Sequence, residues 1–284
     1  MRERTFPNMS EEEGEGMSQT RRLLLTLRYD GTAYHGWQVQ PNGISVQQRL
    51  QDALEAVLGC RPGVTGCSRT DAGVHAEQFC CHLDLSSPIP PDKLVRALNA
   101  HLPADIVAYA CREVPPDFHA RYDCKGKTYR YQIYNSPHPN PFYDSYAWRL
   151  RAPLDLELLR ESCGHFLGRH DFAGFTAAGA GRENTVRTLS AFTAEARPVA
   201  PGERLVLLRV TADGFLYNMV RILVGTLAAV QQGKLRCRDL PAILASKERS
   251  AAGPTAPPQG LFLEQVYYET PENGAGRGSG GEIG

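Results

Sequence analysis

The 284-residue sequence has no apolar run approaching the roughly 20 residues that a membrane-spanning helix needs. Its first twenty residues are acidic and polar where a secretory leader would be basic and then apolar, so a cytoplasmic address is the expectation. None of its eight cysteines is paired at the C-x-x-C spacing of a zinc site, and they read as reduced thiols. Cys80 and Cys81 sit in an alternating run, which predicts small packing residues on opposite faces of a strand. There is no P-loop and no Rossmann glycine pattern, so nothing points to a bound nucleotide cofactor. A net charge is missing too, which would count against a nucleic-acid partner were it evenly spread. It is not: residues 1 to 20 carry −3 and residues 271 to 284 carry −1, leaving +4 on the body between them. A modestly basic body permits RNA binding, subject to where the charges cluster.

What is present organises into two similar halves. Residues 1 to 20 and 271 to 284 are rich in Glu, Gly and Ser and poor in apolar side chains, which predicts two disordered ends. Leu23, Leu25, Leu27 and Tyr29 alternate as a strand, and Asp30-Gly31 turns it. Ser45 with Gln48 forms a capping box ahead of Val46, Leu50, Ala53, Leu54 and Val57 at helical spacing, and Gly59 stops the run. A strand over 78–85, a helix over 92–101 and a strand over 106–114 follow, with a short strand near Val64. The second half repeats the rhythm: strand 127–134, helix 155–166, strands 186–194 and 204–211, helix 218–231, strand 261–268. The expectation is an α+β fold of two ferredoxin-like halves, residues 21–125 and 126–270, whose strands form a mixed, mainly antiparallel sheet with a central cleft and flanking helices.

The densest polar cluster is Ser68-Arg69-Thr70-Asp71-Ala72-Gly73-Val74-His75-Ala76, between a helix and a strand. An isolated Asp-x-Gly is usually just a turn, with Gly taking positive φ. The arginine two residues before Asp71 and the histidine four after it add chemistry that a turn does not need.

These residues resemble the R-T-D-A-G-V-H signature of the tRNA pseudouridine synthase A family. The likeness continues through Tyr29-Asp30-Gly31-Thr32-Ala33-Tyr34-His35-Gly36-Trp37-Gln38 and Ser45-Val46-Gln47. It extends to Asp117-Phe118-His119-Ala120-Arg121, Lys127-Thr128-Tyr129-Arg130-Tyr131, Phe215-Leu216-Tyr217-Asn218-Met219-Val220-Arg221 and Gly260-Leu261-Phe262-Leu263. Ser68 departs from the family's frequent glycine.

The resemblance implies an isomerase that detaches a uracil from its ribose, turns it and rejoins it through carbon 5, with no cofactor and no metal. It implies a homodimer acting on the anticodon stem-loop of tRNA at positions 38 to 40. It makes Asp71 the catalytic carboxylate, as nucleophile at the anomeric carbon or as base at the neighbouring ribose position. Arg221 matches the family's partner for that carboxylate; it lies in an otherwise apolar run, where an unpaired charge would be costly, so a buried ion pair holding Asp71 ionised is expected. Arg69 matches the arginine that displaces the target base, with a solvated loop charge as the plain alternative. Tyr129 matches a substrate-stacking tyrosine and Leu261 an apolar residue of the uracil pocket, each against a core-packing alternative. Tyr131 reads as packing. Arg61, Arg121, Lys125, Lys127, Arg130, Arg169, His170, Arg182 and Arg187 could line a phosphate track, or could be solvated charges. The other readings are a related synthase with another RNA target, a non-catalytic RNA-binding module, and a glycosidase, which would ordinarily need a second carboxylate.

Overall fold

The computed structural model describes residues 20–177 and 184–269. Apart from Thr20, whose hydroxyl lies 2.7 Å from that of Ser86, the two ends expected to be disordered fall outside the described residues, as does Arg182.

The first half runs β1 (Arg21–Tyr29), α1 (Val46–Leu58), β2 (Val64–Gly66), β3 (His75–Leu85), α2 (Pro91–His101) and β4 (Ile106–Val114). Its strands lie side by side as β4-β1-β3-β2. The second half runs β5 (Gly126–Asn135), β6 (Trp148–Leu150), α3 (Leu156–Gly164), β7 (Gly168–Asp171), β8 (Val186–Ala200), β9 (Glu203–Ala212), α4 (Met219–Gln231), α5 (Leu240–Ser246) and β10 (Leu261–Tyr267). Its principal strands lie as β10-β5-β9-β8. Both orders place the last strand beside the first and the third between the first and the second, the arrangement of a ferredoxin-like unit. The α+β expectation is therefore met in the principal strands of both halves.

The two units join through one short parallel seam, where Phe262 and Leu263 of β10 pair with His75 and Ala76 of β3. Further along, the same edge of β3 is occupied by β2. The link from β2 to β3, residues 67 to 74, is thus delivered to the seam between the halves.

Local sequence explains the elements that frame it. The Ser45 hydroxyl accepts from the Gln48 amide at 3.2 Å, as a capping box requires, and Gly59 closes α1 at φ 70°. The reciprocal bond from the Gln48 side chain is not formed among the described residues. Leu50 and Leu54 are fully buried, each contributing on the order of 2 kcal/mol by leaving water. Helix α4 is buried on all sides except at Arg221 and its last residue, so Arg221 is the one charge carried into that core. Cys80 and Cys81 are both buried, and all eight cysteines are free.

Three elements have no counterpart in the sequence reading: β6, β7 and α5. They span three, four and seven residues, too few for either hydrophobic period to emerge.

Candidate active site

The loop from Cys67 to Val74 is held from below by the segment that follows β1. The Trp37 amide donates to the Thr70 carbonyl at 3.2 Å and the Gly73 amide to the Tyr34 carbonyl at 3.2 Å. Gly36, at φ +83°, lies so close that a Cβ there would stand 2.3 Å from the Thr70 carbonyl oxygen. The Tyr29 hydroxyl lies 2.8 Å from that of Thr70 and is buried with it. At the tip, the Val74 amide donates to the Asp71 carbonyl at 3.2 Å, and Gly73 takes φ +75° at the turn position that demands it. The plain turn reading holds, and the same turn presents the Asp71 side chain, as the functional reading requires.

Arg221, 150 residues away in sequence, enters from the first turn of α4. Its Nη1 donates to Asp71 Oδ2 at 3.1 Å and to Asn218 Oδ1 at 2.9 Å, and its Nε donates to the Ala256 carbonyl at 2.7 Å. Three acceptors fix the guanidinium plane, with side-chain exposure of 16% for Arg221 and 20% for Asp71. Asn218 makes this possible by ending the preceding loop at φ 60°, a left-handed conformation that asparagine tolerates better than most residues.

Burial raises the Asp71 carboxyl above its ordinary value, and the hydrogen bond and charge of Arg221 pull it back only in part. The expected pair is present, but desolvation outweighs the partner. A carboxylate held by a single side-chain donor keeps the rest of its lone pairs for substrate.

Tyr129 stands edge-on to Phe215, with centroids 5.0 Å apart and planes at 84°, and its hydroxyl lies 3.3 Å from that of Ser68. It is buried and close enough to Asp71 for the carboxylate to help raise its pKa, after the larger effect of burial. Ser68, where the sequence departs from the family pattern, thus ties the loop to β5. Tyr131 is fully buried and donates to the Pro257 carbonyl at 2.8 Å, in line with a packing role. Leu261 is buried at the start of β10, opposite Tyr131. Arg69, two residues before Asp71 on the same loop, is exposed and makes no hydrogen bond or ion pair among the described residues.

His75 is the site residue that sequence reasoning left without a role. It is buried, its Nδ1 accepts from the Gly31 amide at 3.0 Å and its Nε2 lies 3.1 Å from the Gln259 carbonyl, which assigns the proton to Nε2. One ring thereby joins the turn after β1, the Asp71 loop and the approach to β10. It also stacks on Phe262, at 4.6 Å and 23°. Burial lowers its pKa despite Asp30 Oδ1 at 3.0 Å from Nδ1, which keeps the ring neutral. Its place four residues after Asp71 was the only signal in the sequence.

The basic set divides. Arg61 pairs with Asp52 and Glu55, and Arg130 with Glu77 and Glu264; Lys127 is buried, and Arg187 donates to the carbonyls of Asn184 and Val186. The His170 ring bonds to the Leu167 carbonyl. Arg121, Lys125 and Arg169 are exposed and without side-chain ion pairs among the described residues.

The model of the family described as tRNA pseudouridine synthase matches residues 26–123 and 163–269. A tRNA pseudouridine synthase A of Ruminiclostridium cellulolyticum is 46% identical over 248 residues, 87% of this chain and all of that one. Proteins of the same description from Acetivibrio thermocellus and Geotalea daltonii are each 43% identical, with the same coverage. With the Asp71 loop lying inside the matched region and the likeness running the full length of these relatives, the chain belongs to the tRNA pseudouridine synthase family.

Proposed function

We propose that this protein isomerises uridines in the anticodon stem-loop of tRNA, at positions 38 to 40, acting as a cytoplasmic homodimer. The observation that carries the reading is the Asp71 carboxylate, set on a turn at the seam of the halves and bonded to the Arg221 guanidinium, with the exposed Arg69 two residues before it on the same loop. The near full-length relatives described as tRNA pseudouridine synthase A support the substrate class.

The isomerisation breaks the bond from uracil N1 to the ribose, turns the base, forms a bond from C5 and transfers the C5 proton away while N1 gains one. No electron enters or leaves. Both routes open to Asp71, attack at the anomeric carbon or proton removal at its neighbour, require the ionised carboxylate. Arg221 favours that form and fixes its direction. A base must leave its stack to reach it, and Arg69 can fill or stack against the vacated place with a planar cation that no other group engages among the described residues. Tyr129 and Leu261 offer an apolar wall for the uracil face. Arg121, Lys125 and Arg169 are the candidates for backbone contacts, and their salt-sensitive contribution is expected to be general rather than base-specific.

The test is to incubate unmodified tRNA with the purified protein and map pseudouridine by carbodiimide-blocked primer extension. Modification confined to positions 38 to 40 supports the proposal. Modification elsewhere moves the protein to another RNA target, and tRNA binding without modification makes it a binding module.

A further inference from the structure

Far from the Asp71 loop in sequence, at the C-terminal end of α3, three side chains of different chemistry converge. Glu161 and His165 lie one helical turn apart, and Cys237 comes to them from the turn that follows α4. One carboxylate oxygen, one ring nitrogen and the thiol sulfur all lie within 4.8 Å of one another. The fully buried Ser162 directs its hydroxyl at the Cys237 sulfur, 3.3 Å away. His165 Nε2 is buried with no hydrogen-bond partner among the described residues. A buried ring nitrogen left unsatisfied is uncommon and calls for a ligand.

We propose that Glu161, His165 and Cys237 form a binding site for one zinc ion, with a water in the fourth position. The donor set is the argument. A thiolate with an imidazole excludes magnesium and calcium, which take oxygen, and selects a borderline-soft cation of tetrahedral habit. Zinc bonds of about 2.0 to 2.3 Å set tetrahedral ligand atoms roughly 3.5 Å apart. The side chains need only draw together by a rotamer adjustment, which the exposed Glu161 can make freely. Binding exchanges the thiol proton of Cys237 for the metal and releases it to solvent, with no change of oxidation state. The Ser162 hydroxyl is then a donor to the coordinated sulfur. The ion would clip the end of α3 to the segment leaving α4. That is a structural role, separate from the isomerase reading, and it departs from the metal-free expectation of the sequence.

The experiment strips the full-length protein with chelator and titrates it with zinc against a chromophoric competitor, with cobalt(II) as the spectroscopic probe. The expected result is one zinc per chain, a thiolate-to-cobalt charge-transfer band, and a higher melting temperature on loading. Cys237→Ser should abolish the band, whereas Cys60→Ser, at the exposed cysteine, should leave it intact. Glu161→Gln should weaken zinc by at least about tenfold while leaving the metal-free melting curve unchanged, because that side chain is exposed. No binding tighter than in the Cys237→Ser chain, or a band that survives that substitution, would overturn the site.

Discussion

Two arginine–carboxylate clusters lie on opposite sides of β5, where the neighbouring residues Tyr129 and Arg130 face one each. Asp71 and Glu264 are equally exposed, at 20% of the side chain, and their arginines are close, at 16% for Arg221 and 13% for Arg130. Burial therefore does not distinguish them. Partner number does. Glu264 accepts from Arg130 Nη1 at 3.0 Å and from Arg209 Nε at 3.1 and 3.0 Å, and the network runs on through Glu77 and Glu195 across five strands. Burial lowers the Arg130 pKa, but Glu77 and Glu264 overcome it and leave it raised. Asp71 has a single side-chain donor among the described residues, and burial wins. A saturated carboxylate braces a sheet; an under-coordinated one of equal depth is available for reaction.

Substitutions that remove one partner from each cluster should separate these roles. Arg221→Gln leaves the Asp71 charge part-buried with no counter-ion, and turnover should fall on the order of a hundredfold, the cost being tempered by residual solvent. Arg221→Lys should not rescue it, since a lysine cannot keep the bond to the Ala256 carbonyl while facing Asp71. Single-turnover rates on tRNA read both. Glu264→Gln should instead lower stability by about 1 to 2 kcal/mol in urea melts and leave turnover unchanged. Turnover falling in parallel with Arg221→Gln would erase the distinction.

The two faces should also differ in pH response. The proposed role needs Asp71 ionised, and its pKa is raised, so activity should be lost on acidification at a higher pH than an ordinary aspartate would give. Its effect on stability runs the other way: a raised folded pKa stabilises at low pH, and that contribution is lost as pH rises through it. His75 opposes this. Its folded pKa is depressed, so its contribution is complete above the ordinary histidine value of about 6.5 and is lost as pH falls from there through the folded pKa. Thermal melts across pH should show that acid loss, and His75→Gln should flatten it. The smallest effect should come from Tyr129→Phe. The hydroxyl contact to Ser68 is long at 3.3 Å, and losing it should cost about 0.5 kcal/mol with turnover changed only a few-fold. A loss of turnover as large as that of Arg221→Gln would give the hydroxyl a chemical role.

The strand and helix rhythm of both halves was legible because each long element carries its hydrophobic period, and the resemblance located Asp71, Arg221 and Tyr129 before any geometry. What the sequence could not show is what depends on pairing at a distance. The seam rests on two residue pairs between β3 and β10, 187 positions apart at Phe262 and His75, and no local pattern encodes it. Arg130 and Arg61 stayed open between a phosphate track and solvated charges because their carboxylate partners are not adjacent in an obvious run. His75 had no assigned role until Gly31 and Gln259 appeared on its two nitrogens. The Glu161, His165 and Cys237 cluster escaped a search for cysteine pairs because it has only one cysteine.

The most direct test of the central claim compares the wild type with Asp71→Asn on one unmodified tRNA, measuring binding and pseudouridine formed. The substitution keeps the shape of the turn and removes the charge. Unchanged binding with turnover reduced by at least about a thousandfold, the upper part of what a single acid–base group contributes, is the predicted result. Pseudouridine formation by Asp71→Asn at a rate near that of the wild type would contradict the assignment of the chemistry to this carboxylate.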